Sequence, residues 1–263
     1  MSRTPLVAAN WKMYKTRGEA RAFLEAALGD LARVEGVEVV ICPPFTALET
    51  VGRLIAGSPV RLGAQNVHWE RQGAFTGEIS PGMLVDLNCT YVIVGHSERR
   101  QLFGETDEWV RRKVRAAFDA GLIPILCVGE TIEERQAGQT EARVTSQVAE
   151  GTADLRAEEV ARLVIAYEPV WAIGTGHAAT GEEANRVSGL IRGYLHRRFG
   201  TAAEATRIQY GGSVRAINAA QFLQQPEVDG ALVGGASLDP VEFVGIVRAA
   251  RRGSPVVEGP QSG

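Results

Sequence analysis

Cysteine is scarce in this 263-residue chain. Cys42, Cys89 and Cys127 are odd in number, far apart and set among apolar residues, which argues against a disulfide framework or a zinc site and reads instead as buried thiols in a reducing compartment. Neither sign of charge is in excess. With 28 basic and 31 acidic residues the net charge is -3, so there is no electrostatic footprint for nucleic acid and a small-molecule partner is expected. No apolar run approaches membrane-spanning length, and the N-terminal stretch lacks the apolar core and cleavage pattern of a signal peptide; no membrane association and a cytoplasmic location are expected. No linker-like break interrupts the chain before the Gly-, Pro- and Ser-rich end, giving an expected single catalytic domain over 1–252 and a flexible tail over 253–263. A G-x-G-x-x-G run after the first strand is also missing, which removes the main sign of a dinucleotide-binding open sheet.

What is present is alternation. Short apolar runs at 5–9, 37–41, 60–64, 90–95, 123–128, 163–167, 207–211 and 230–233 are separated by amphipathic stretches, the pattern of repeated strand-helix units around a parallel sheet. Each run is apolar on both faces, as a strand covered by helices must be. Helix starts are marked by Thr16 with Glu19, Thr131 with Glu134 and Thr180 with Glu183, which match the capping box, and by Ser80 before Pro81. Eight units account for the whole length, so the expected fold class is α/β, a single closed (β/α)8 barrel; periodicity alone also fits an open doubly wound sheet.

In a barrel the segments just past the strand C-termini converge on one face, and four of them carry polar groups. Asn10 and Lys12 follow strand 1 with the same parity, which predicts side chains on the same side; His96, Ser97 and Glu98 follow strand 4; Glu168 follows strand 6; Tyr210 and Ser213 flank the end of strand 7. Each has a bland reading taken singly: a solvated lysine, a hydrogen-bonded histidine, a glutamate that ends a strand before Pro169. A base, a neutral acid and a cation together at strand ends favour a catalytic reading. After Glu168, the apolar residues Val170, Trp171, Ala172 and Ile173 are followed by Gly174, Thr175 and Gly176, a stiff-then-flexible loop suited to covering a site. The pairs Gly211 with Gly212 and Gly234 with Gly235 fall where such barrels cradle phosphate, although glycine pairs also simply make tight turns.

These residues, together with Met13, the segment 73–80, the run 95–100 and the run 167–176, stand in the order of one family: the chain resembles triosephosphate isomerase throughout, except for the tail. The resemblance implies interconversion of dihydroxyacetone phosphate and D-glyceraldehyde 3-phosphate through an enediolate, in glycolysis and gluconeogenesis, with no cofactor and no metal. It implies Glu168 as the proton-transferring base, His96 as the electrophile, Lys12 and Asn10 as electrostatic partners, and Glu98 in support. It further implies phosphate binding through Gly174, Ser213, Gly234 and Gly235, a lid formed by Pro169 and the loop to Gly176, and Tyr210 and Ser213 as its latch. The segment 65–78 resembles the loop by which the family forms a homodimer, placing Gln65, Phe75 and Thr76 at the interface, and Arg99 with Glu105 resembles a structural ion pair. His177 departs from the lysine common at the lid's end. A barrel isomerase for another sugar phosphate, or a phosphate-binding scaffold without activity, would share the glycine cradle without needing Lys12, His96 and Glu168 together.

Overall fold

The computed structural model describes residues 3–172 and 179–252. Its strands are β1 (Leu6–Asn10), β2 (Glu38–Cys42), β3 (Arg61–Ala64), β4 (Tyr91–Val94), β5 (Ile123–Val128), β6 (Val164–Tyr167), β7 (Arg207–Tyr210) and β8 (Gly230–Val233). Each lies within one residue of its expected bounds, and each pairs in parallel with its sequence neighbours. β8 returns to β1, closing the (β/α)8 barrel and ruling out the open sheet. The helices are α1 (Arg17–Ala32), α2 (Leu48–Ile55), α3 (Pro81–Asp86), α4 (Ser97–Phe103), α5 (Asp107–Asp119), α6 (Ile132–Gln136), α7 (Thr140–Gly151), α8 (Ala157–Val160), α9 (Gly181–Phe199), α10 (Ala219–Leu223) and α11 (Pro240–Ala249). No helix among the described residues is long and apolar enough to cross a membrane.

Strand parity divides the core in two. Leu6, Ala8, Val40, Ile93, Ile125, Val164, Ala166 and Leu232 pack together inside the barrel, whereas Val7, Ala9, Val39, Val92 and Ile165 pack outward with the helices, as a period of two requires. Asn10 continues the inward series of β1, and Glu168 continues that of β6. The same alternation that fills the barrel therefore delivers these two polar side chains to its C-terminal mouth.

The helix starts follow the cap chemistry with one exception. Thr16 and Thr131 form complete capping boxes, and Ser80 accepts from the Met83 amide ahead of Pro81. Thr180 accepts from the Glu183 amide, but the Glu183 carboxylate turns away to Arg186 at 2.9 Å and Arg135 at 2.7 Å, leaving that box half formed. Charge pairing with two guanidiniums outcompetes a single backbone N–H.

The turn after β4 rests on a buried ionic cluster. Glu105 accepts from the Gly95 amide at 3.1 Å, from Arg99 at 2.7 Å and from Lys113 at 2.9 Å, and Lys113 also donates to Asn66 at 2.8 Å. Burial works against the Glu105 charge, but Lys113 and Arg99 outweigh it and hold the carboxyl below its ordinary value. For Lys113 burial is the larger influence and lowers the amine, with Glu105 opposing. The Arg99 and Glu105 pair expected from the sequence is thus real, with Lys113 as a third member.

Candidate active site

A cavity of about 400 Å³ opens at the C-terminal end of the strands and is lined by Asn10, Lys12, His96, Glu168, Ser213 and the glycines of the β7 and β8 ends. Asn10 is buried and its Oδ1 accepts from the Lys12 amide at 3.0 Å. Lys12 reaches the cavity by a different route from the one parity predicts. β1 ends at Asn10, and Lys12 lies in the left-handed region at φ 52°, so a backbone reversal rather than strand alternation aims its side chain. That conformation costs a non-glycine residue on the order of 1–3 kcal/mol. Gln65 stands behind it: its amide donates to the Lys12 carbonyl at 2.8 Å and to the Cys42 carbonyl at 2.9 Å. The Lys12 ammonium pairs with Glu98 at 2.5 Å. Gly234 leaves it room, since a Cβ there would sit 3.2 Å from Lys12 Cε.

His96 is brought inward by the turn at Gly95, whose φ of 74° suits glycine. A Cβ at Gly95 would also lie 2.9 Å from both Arg100 and Val110. His96 occupies the N-cap of α4, and its Nδ1 accepts from the Glu98 amide at 3.2 Å. The helix therefore opens at the histidine itself. With Nδ1 accepting, the neutral ring carries its proton on Nε2, the atom that faces Glu168 Oε1 at 3.0 Å.

Glu168 is almost wholly buried, yet its carboxylate is well supplied with donors. The Ser97 amide donates to Oε2 at 3.0 Å and the Ser97 hydroxyl to Oε1 at 3.2 Å. Two glycines make space for it. A Cβ at Gly211 would lie 2.9 Å from Glu168 Cγ, and one at Gly129 would collide with the Glu168 carbonyl at 1.7 Å. Burial, and then the Glu168 charge, push the nearby Cys127 thiol well above its usual range, consistent with an inert buried cysteine.

Beyond Glu168 the chain makes one 3-10 turn, Val170–Ala172. Trp171 Nε1 donates to the buried Glu130 carboxylate at 3.0 Å, and the Tyr167 hydroxyl donates to the same oxygen at 3.1 Å. The Arg135 guanidinium lies 4.3 Å from the Trp171 ring centroid. Burial, reinforced by Glu130, pushes the Tyr167 phenol far up, so it remains a donor. The Ser213 hydroxyl donates to the Ala172 carbonyl at 3.0 Å. Tyr210 is buried below, and a Cβ at Gly212 would fall 2.2 Å from its hydroxyl. Ile173, Gly174, Thr175, Gly176 and His177 lie outside the described residues.

Gly234 and Gly235 line the cavity, with Gly235 opening the 3-10 turn Gly235–Leu238; the Trp11 indole donates to the Ser237 carbonyl at 3.1 Å and ties this turn to the segment after β1. Arg215 and Glu242 also line the cavity and were not anticipated. Nor were Ser97 as the holder of Glu168, or Glu130 as the acceptor for Trp171. Both stand immediately past strand ends, so the rule that found His96 and Glu168 applies to them too. Of the residues expected at an interface, Phe75 and Thr76 are exposed and do not line the cavity, while Gln65 is turned toward Lys12 of its own chain. Phe75 packs on His68 at 4.4 Å, and Arg112 covers Trp69 at 4.3 Å.

Residues 5–250 match the family model described as triosephosphate isomerase. Curated relatives bearing that name include one from Dictyoglomus thermophilum, 55% identical over 94% of this chain and 100% of its own length. Another, from Symbiobacterium thermophilum, is 57% identical over 94% of this chain and 97% of its own. A third, from Chloroflexus aurantiacus, is 53% identical over 93% and 98% respectively.

Proposed function

The chain belongs to the triosephosphate isomerase family and is an isomerase, and on that premise we propose that it interconverts dihydroxyacetone phosphate and D-glyceraldehyde 3-phosphate with Glu168 as the proton-transferring base. The observation that supports this most is the meeting of Glu168, His96 and Lys12 in one cavity, with Glu168 Oε1 3.0 Å from His96 Nε2. The carboxylate removes a proton from the carbon next to the carbonyl. The C–H electron pair forms the enediol double bond, and the carbonyl π pair moves onto oxygen. The carboxylic acid then returns the proton to the neighbouring carbon, while the hydroxyl proton of the second oxygen passes to the first by way of His96 Nε2 so that the new carbonyl can form. General acid-base transfer of this kind is worth on the order of 10² to 10⁴ in rate. To reach substrate, Glu168 must release Ser97 and His96, which frees His96 Nε2–H to donate to the developing oxyanion.

Lys12, with Asn10 beside it, supplies positive potential to the phosphate and enediolate, and Glu98 holds the ammonium in place. We assign the phosphate to the backbone of Gly174, Ser213, Gly234 and Gly235, and the role of lid to the loop from Pro169 through Gly176. Ser213, whose hydroxyl is bonded to the Ala172 carbonyl, and Tyr210 are assigned as the latch of that loop. Residues 1–252 act as the catalytic domain. A homodimer is the proposed assembly, since Phe75 and the highly exposed Met13 and Phe103 are apolar surface in want of a partner. The three free, buried cysteines fit a cytoplasmic location, where the reaction serves glycolysis and gluconeogenesis. The test is a coupled assay with glyceraldehyde 3-phosphate on wild type and Glu168→Asp. Robust turnover by wild type and its collapse in the variant are expected; equal, negligible rates for both would defeat the reading.

A further inference from the structure

A second cavity, of about 920 Å³, lies at the opposite end of the barrel. Arg61 and Arg207 open β3 and β7, Glu38 opens β2, and Arg3 and Arg162 precede β1 and β6, so five strand entries converge there. Part of this set is explained by stability. Arg207 is ion-paired with Glu38 and donates to the Tyr91 hydroxyl at 2.9 Å, while Arg3 pairs with Asp229 at 2.6 Å. Arg61 and Arg162 are left over: both are exposed on the cavity wall, and neither has an ion-pair partner among the described residues. Among the described residues, with Arg207 engaged by Glu38 and Arg3 by Asp229, two unpaired guanidiniums face one unpaired carboxylate, Glu204. On a chain of net charge -3 this concavity is locally positive, and a walled pocket concentrates such a field.

We propose that this cavity binds a small oxyanion carrying two or more negative charges, with Arg61 and Arg162 as its principal cations. Guanidinium forks match phosphate and carboxylate oxygens two at a time. Among the described residues the lining contains no aromatic ring on which a nucleobase would stack, which favours a compact oxyanion over a nucleotide.

The experiment is isothermal titration of pyrophosphate into the full chain at low ionic strength, for wild type, Arg61→Ser/Arg162→Ser and Lys12→Ala. Wild type is expected to bind. The double variant should bind at least about ten-fold more weakly, given two lost charge-assisted contacts, while keeping its isomerase turnover. Lys12→Ala should retain the binding, which separates this site from the catalytic cavity. Arg162→Glu alone, tested alongside, should weaken binding in the same direction and guards against misfolding of the double variant. Wild-type affinity in the arginine variants, complete loss of binding in Lys12→Ala, or no binding by wild type in the millimolar range would each overturn the proposal.

Discussion

Replacing Gln65 by alanine tests how the cation of the site is held. Lys12 sits at φ 52°, and the Gln65 amide donates to its carbonyl at 2.8 Å and to the Cys42 carbonyl at 2.9 Å. Two such neutral hydrogen bonds are worth about 2 kcal/mol net, comparable with the 1–3 kcal/mol or so that the left-handed residue costs. Without them the Lys12 segment relaxes and the ammonium leaves the position fixed by Glu98. Gln65→Ala should lose about 2 kcal/mol of stability, and its KM should rise about ten-fold, equivalent to about 1.4 kcal/mol of substrate binding. Gln65→Glu should be worse than alanine, because a carboxylate cannot donate and would face two carbonyl oxygens. The assays are chemical unfolding, steady-state kinetics with glyceraldehyde 3-phosphate, and sedimentation to follow assembly. Unchanged KM with weakened self-association would refute the reasoning and return Gln65 to an interface role.

Glu105→Gln leaves the buried Lys113 without its anion and should cost about 3–5 kcal/mol in urea unfolding; a loss below 1 kcal/mol or so would show that the cluster contributes little. Gly211→Ala places a Cβ 2.9 Å from Glu168 Cγ, and the displaced base should lower kcat on the order of 10²-fold while the melting temperature moves modestly; wild-type kcat would contradict the crowding argument. Glu183 is held down to about 2, chiefly by Arg186 and also by Arg135 against the opposing effect of burial. Because its folded value lies below the unfolded carboxylate range of about 4.3, the stabilisation is present at neutral pH and fades as pH falls from about 4 toward 2. Allowing for solvent screening it is about 1 kcal/mol. The stability gap between wild type and Glu183→Ala should therefore shrink between pH 7 and pH 2, and an equal gap at both would count against it.

The barrel was legible because parallel strands buried on both faces must be short and apolar throughout, and eight such runs met that demand within one residue of their true ends. Asn10 and Glu168 were legible for a related reason: they continue the inward parity of β1 and β6. What parity does not encode is how the other site residues are aimed, because that depends on backbone reversals. Lys12 is aimed by its own positive φ and His96 by that of Gly95, and Ser97 meets Glu168 only because that turn starts α4 at the barrel mouth. Gln65 illustrates the same limit, since only the fold reveals that its amide faces Lys12. The half-formed box at Thr180 failed through competition from two arginines, Arg186 three residues on in the same helix and Arg135 48 residues away.

In the proposed reaction the Glu168 carboxylate moves a proton between adjacent carbons. Turnover of dihydroxyacetone phosphate in deuterium oxide, with the product read by proton NMR, tests it most directly. Exchange of the Glu168 proton with solvent predicts deuterium at the carbon that receives the proton, and loss of both turnover and incorporation in Glu168→Gln. Rapid turnover with the substrate hydrogen fully retained, or undiminished in Glu168→Gln, would contradict the account.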